Sequence, residues 1–159
     1  MKMTAPMEVG LTVRDLPVMR AFYEAALGFS FVSEFHVPPA RAREAALSEG
    51  GYTVVRLQTP YGERVKLLCP DTAPAARPGV SGAILDRADS SYLTFIVDDI
   101  EAVAARLIAG GAEPMTGEKP VEVRPGTFLS FLRDPEGHIV EIVQYADIAS
   151  YRPDLQAAK

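Results

Sequence analysis

Two landmarks recur along this chain in the same order, and that recurrence narrows the possible folds more than any other property. Val13-Arg14-Asp15-Leu16 is matched by Val97-Asp98-Asp99-Ile100 at an offset of 84, and Pro60-Tyr61-Gly62 by Pro135-Glu136-Gly137 at an offset of 75. The first pair stands at a strand-to-helix junction with a capping aspartate, and the second lies between two strands. Gly28 and Gly111, each closing a helical pattern, fall between these anchors. Ordered self-similarity of this kind marks a duplicated supersecondary unit.

Periodicity fills in the unit. From Met7 to Val13 the residues alternate, with Val9, Leu11 and Val13 on one face and Glu8, Gly10 and Thr12 on the other. Asp15 caps a helix whose stripe is Met19, Phe22, Tyr23, Ala26 and Leu27. Phe29 to His36 reads as a strand stopped by Pro38 and Pro39, and 40–51 reads as a helical turn and a candidate lid. Tyr52–Gln58 and Arg64–Cys69 make a hairpin around Thr59-Pro60-Tyr61-Gly62. In the second half, Tyr92–Val97 is a strand, and Asp98 or Asp99 caps a helix with stripe Ile100, Val103, Ala104 and Leu107. Val121–Val123, Thr127–Leu132 and His138–Gln144 are strands, the last two joined by the turn Asp134-Pro135-Glu136-Gly137.

The fold expected is therefore α+β: two tandem βαβββ modules forming a curved mixed sheet around a cleft. It is one domain, 1–159, with modules at 7–69 and 91–145, a connection at 70–90 and a polar tail at 146–159 that drapes on the surface or frays. Glu8, Gly10, Thr12, Tyr92, Thr94 and Ile96 face the cleft, and a concave pocket of this mixed lining is the default ligand site. Phe22, Tyr23, Phe29 and Phe31 are expected to pack in the core and between halves, while Phe128 and Phe131 fall on opposite strand faces.

Composition excludes several classes. No apolar run approaches the ~20 residues of a bilayer span, so no membrane partner is expected. The basic residues are scattered in a chain of net charge -5, which argues against nucleic acid. A start without signal-peptide character and a lone cysteine, Cys69, suit the cytoplasm. No phosphate-cradling glycine loop, nucleophile elbow or cysteine-pair zinc motif is present.

Taken together, several segments make the sequence resemble the vicinal oxygen chelate superfamily, which includes glyoxalase I, extradiol dioxygenases and bleomycin-binding proteins. The residues that carry it are Val9-Gly10-Leu11-Thr12-Val13-Arg14-Asp15-Leu16, Phe22-Tyr23 and Leu27-Gly28-Phe29. Leu93-Thr94-Phe95-Ile96-Val97-Asp98-Asp99-Ile100 and Asp134-Pro135-Glu136-Gly137-His138-Ile139-Val140-Glu141 add to it, so that the match spans about residues 7 to 145. The resemblance implies metal-ligand positions on the first and fourth strands of each half, which are Glu8, Lys66, Tyr92 and Glu141 here.

Lys66 departs from that pattern, since a protonated amine has no lone pair to give. Its charge opposes a divalent ion ~4 Å away by roughly 8 kcal/mol at an effective dielectric of about 20. The expectation is a degenerate metal site without a cofactor; were a divalent metal bound, Glu8 and Glu141 would be its ligands. In the metal-free form, Lys66 lies near Glu141 and holds a ligand oxygen, Glu141 or Glu8 moves a proton, and Tyr92 donates a hydrogen bond.

Arg56, Thr12, Thr94, Phe131 and His36 complete the candidate ligand contacts, with Arg56 suited to an anionic group. The functions this leaves open are a lyase or isomerase working by proton transfer on a small oxygenated metabolite, and a metal-free protein that sequesters a small molecule. A structural or regulatory domain with a vestigial pocket is the third, and a metal-dependent lyase or dioxygenase using Glu8 and Glu141 is a variant of the first. The resemblance also implies a homodimer.

Overall fold

In a computed structural model of the protein, which describes residues 3–76, 83–88 and 90–155, the chain divides into two units, 1–79 and 80–159. In the first unit β1 (Glu8–Thr12) leads to α1 (Leu16–Ala21), and β2 (Ser30–Val37) to α2 (Pro39–Glu44), before the hairpin β3 (Tyr52–Gln58) and β4 (Arg64–Pro70). The sheet order is β1-β4-β3-β2, with β1 parallel to β4 and the other pairs antiparallel. Asp15 starts α1 by accepting a hydrogen bond from the Val18 amide at 3.0 Å, with Pro17 in the first turn. After α1 the chain widens into a π-helical turn, Phe22–Ala26, that the periodicity did not distinguish from helix. Phe22 and Tyr23, both buried, meet edge to face at 5.4 Å within it.

The second unit repeats the plan with β5 (Tyr92–Ile96), α3 (Ile100–Ala109), β6 (Glu113–Pro114), β7 (Val121–Arg124), β8 (Thr127–Arg133) and β9 (Ile139–Tyr145). Its order is β5-β9-β8, with β6 and β7 both pairing β8. Of the two candidate caps, Asp99 does the work, accepting from the Ala102 amide at 2.9 Å. The two-residue β6 carries no alternation of its own and was not expected. The tail, read from the sequence only as draping or fraying, carries α4 (Ile148–Tyr151), capped by Asp147, and a 3-10 turn at Pro153–Leu155. Among the described residues no helix is long and apolar enough to cross a membrane.

Register makes the duplication quantitative. In the first sheet Glu8 lies opposite Arg64 and Gly10 opposite Lys66; in the second, Tyr92 lies opposite Ile139 and Thr94 opposite Glu141. These pairs keep the sequence offsets of 84 and 75. The antiparallel neighbours obey the same rule, because Arg56 faces Lys66 and Phe131 faces Glu141.

One face of each sheet is dry. Leu57, Leu67 and Val55 are fully buried on the first, with Met19 and Tyr23 from the helical segment; Leu132, Val140 and Ile142 are fully buried on the second, with Leu107 of α3. Phe31 does not join this core: it is 46% exposed, with the Arg20 guanidinium over its ring at 4.5 Å. On the opposite face of the first sheet, Ala42 of α2 packs against Tyr52 and Val54, with Val37 and Leu68 beside them. The candidate lid segment thereby covers one end of that face and leaves the Glu8 end open.

Candidate functional site

In the first unit, alternation sends Glu8, Arg56, Arg64 and Lys66 to one sheet face, and the structure brings them together. Glu8 Oε1 lies 3.4 Å from Arg64 Nη1, while Oε2 lies 3.8 Å from Lys66 Nζ and 3.9 Å from Arg56 Nε. Arg64 Nε also donates to Gln58 Oε1 at 2.7 Å, and the Arg56 guanidinium sits 4.8 Å above the Phe35 ring. Thr12 shares the face but stands opposite Leu68, toward the end that α2 covers.

His36 does not join them. The register of β2 against β3 shifts between Phe31 and Ser33, so one extra residue reverses which side chains face which way. His36 therefore lies opposite Thr53, on the other side of the sheet from Arg56, and its Nε2 is 3.0 Å from Asp71 Oδ1. The bulge, for which the sequence carries no glycine or proline signal, sets His36 apart from the Arg56 group.

The second unit holds a different set. Thr94 Oγ1 donates to Glu141 Oε2 at 2.6 Å, and Phe131 lies opposite Glu141 on β8. Tyr92 is one strand step away, its ring edge-on to Phe131 at 5.2 Å. Above this face opens a hollow of about 590 Å³. Thr94, Ile96, Leu129, Glu141 and Val143 form its floor, and Tyr145 and Tyr151 its wall. Those two rings stack at 3.8 Å, which is how the four-residue α4 comes to border the site. Arg124 stands at the rim, its Nε donating to Thr127 Oγ1 at 3.1 Å, and a second hollow of about 380 Å³ lies beyond it. Among the described residues no group of three or more His, Cys, Asp or Glu converges.

The Tyr145 phenol is pushed up to about 12, first by burial and then by the Tyr151 hydroxyl, with Glu141 adding to the effect and Arg124 opposing it. A raised phenol favours the neutral form in the folded chain. The stability this contributes is therefore complete below the ordinary tyrosine range and is lost as pH rises from ~10 through about 12. In an alkaline titration of tyrosinate absorbance, Tyr145 should ionise late, and Tyr145→Phe should remove its late step. Retention of the step in the variant would assign the shift elsewhere.

Sequence reasoning missed Arg64, Arg124, Tyr145 and Tyr151. Two of them were within reach: Arg64 is two residues before Lys66, and Tyr145 four after Glu141, so each shares a strand face with a residue already singled out. Tyr151 had no such signal, because its position depends on the tail folding back.

The model of the Glyoxalase/Bleomycin resistance protein/Dioxygenase superfamily matches residues 6–142. No curated protein matches. Among solved structures, a glyoxalase family protein from Bacillus cereus superposes with a TM-score of 0.71 at 20% identity, covering 91% of this chain and 95% of that one. A glyoxalase/bleomycin resistance protein/dioxygenase family enzyme from Burkholderia phytofirmans gives 0.56 at 20% identity, covering 87% and 96%. Glyoxalase I from Zea mays gives 0.65 at 20% identity, covering 90% of this chain but 45% of that one. At these identities the likeness concerns the fold.

Proposed function

This chain belongs to the Glyoxalase/Bleomycin resistance protein/Dioxygenase superfamily, and from that premise we propose that it binds a small organic molecule in the second-unit hollow without a resident metal. The observation that carries this reading is the Glu141 carboxylate, fixed by Thr94 on the floor of a hollow with aliphatic and tyrosine surfaces. A ligand suited to it presents a hydroxyl, amide or ammonium donor to Glu141 and an apolar or ring body to Ile96, Leu129, Val143 and the stacked tyrosines.

The donor set supports the metal-free part. Of the four positions where the fold family places ligands, Lys66 carries an ammonium and Tyr92 has its ring against Phe131. Glu8 already has three cations within 4 Å, so a divalent ion there would meet concentrated positive charge. These residues do not fit the metal. Elemental analysis of gently purified protein should find divalent metal far below one per chain; stoichiometric metal that survives dialysis would overturn this part.

Ligands found by thermal-shift screening of small oxygenated compounds should bind Glu141→Leu about tenfold or more weakly, the cost of one charge-assisted hydrogen bond. Unchanged affinity in that variant would remove the hollow from the account. A second reading, proton transfer next to a carbonyl, draws on the same oriented carboxylate. Glu141→Gln separates the two, since the amide retains hydrogen bonding but takes no proton: turnover lost with binding kept favours catalysis.

A further inference from the structure

The first unit carries a charge arrangement that its own fold does not need. Arg56, Arg64 and Lys66 converge on the single carboxylate of Glu8, leaving two positive charges in excess on a chain of net charge -5. Arg56 and Lys66 also face each other directly across the β3–β4 pair, a like-charge placement that weakens a sheet. The corresponding pair in the second sheet is Phe131 and Glu141, so the shared backbone does not demand it.

The donors are also underused. Glu8 reaches Lys66 and Arg56 only at 3.8 and 3.9 Å, distances of ion pairing rather than of close hydrogen bonds. Among the described residues that ion pair is the single polar contact of Lys66, and Arg56 adds only its seat on Phe35. Gln58 holds Arg64 in place, and Phe35 holds the Arg56 guanidinium plane while remaining 41% exposed itself. With side chains only 28–36% exposed, the three cations are less screened than surface charges.

We infer that this face is an anion site for a small organic carboxylate or phosphate with a flat apolar body, and that Glu8 is a built-in counter-ion which the ligand displaces. The planar fork of Arg56 and the point charge of Lys66 take the anionic oxygens, and the body lies along Phe35. A nucleic acid is disfavoured by the negative charge of the whole chain. The inference does not rest on the second-unit hollow, and its test uses variants confined to the first unit.

The test is a calorimetric and NMR titration of the full chain at low ionic strength with benzoate and phenyl phosphate, against neutral benzamide and inorganic phosphate. Benzoate or phenyl phosphate should bind saturably, benzamide should not, and added salt should weaken the complex. Inorganic phosphate should bind more weakly than phenyl phosphate; equal affinity would make this a site for the free ion and overturn the apolar-body assignment. R56M and K66M should each weaken binding at least about fivefold, whereas E8Q should strengthen it about three- to tenfold by removing the competing carboxylate. If R56M or K66M loses cooperative unfolding, E8Q decides alone. Absence of binding, equal binding of benzamide, or an E8Q affinity that is unchanged or lower overturns the inference.

Discussion

Replacing Leu67 with alanine should destabilise the protein by about 3–5 kcal/mol, the range for a fully buried leucine whose surroundings cannot collapse. Leu67 has no exposed surface, and on β4 it lies between Leu11 of β1 and Val55 of β3. Two hydrogen-bonded neighbours flank it, so the sheet cannot close over the missing methyl groups without breaking its ladder. In urea the midpoint should fall while the slope is kept, because the area exposed on unfolding hardly changes. At roughly 2–4 °C per kcal/mol for a chain of this length, the melting temperature should drop by about 6–20 °C. Leu67→Met, which conserves volume, should cost less than about 1.5 kcal/mol. A loss under ~1 kcal/mol for the alanine variant would mean that this face is not packed as described.

Asp134→Ala should cost about 3 kcal/mol, the net worth of two hydrogen bonds to a buried carboxylate. Asp134 is 3% exposed, and its Oδ1 accepts from the Glu136 amide at 3.0 Å and the His138 amide at 2.9 Å. It thereby pins the turn between β8 and β9, the strand that carries Glu141. Alanine leaves both amides without this acceptor. Asparagine keeps an acceptor oxygen there and should recover about half the loss. Gly137 in the same turn has φ +90°, so Gly137→Ala should cost about 1 kcal/mol through backbone strain alone. Calorimetry of the three variants checks the set, and an alanine variant within ~0.5 kcal/mol of the parent would sink the assignment.

The parts of this molecule that repeat were the parts that could be read in advance. The offsets of 84 and 75 came from cap and turn residues alone, yet they reproduce the residue-by-residue register of both parallel pairs. Both anchors are local chemistry: an aspartate that caps a helix and a glycine that turns a hairpin. Local chemistry is visible in a single sequence. The hairpin itself was legible, but the pairing of Arg56 with Lys66 across it, and its consequence for charge, emerged only with the register and with Glu8 and Arg64 in place.

What stayed hidden was set by non-local contacts. The β2 bulge that turns His36 away from Arg56 is a mismatch between two strands, and neither strand shows it separately. The π-helical turn has the same residue pattern as the helix before it. Tyr151 borders the hollow because its ring finds Tyr145, a pairing that no periodicity announces.

That ring pair has a further consequence. α4 is a single helical turn, too short to persist by its own hydrogen bonds. Its anchorage is the Tyr145 stack and the Asp147 cap, while the floor beneath it belongs to a continuous strand ladder. The rim and the floor should therefore belong to different tiers of local stability, and the amides of 148–151 should exchange with solvent before those of β9. For a ligand of the kind proposed, the ring of Tyr151 would be the part of the rim whose displacement breaks no strand pairing.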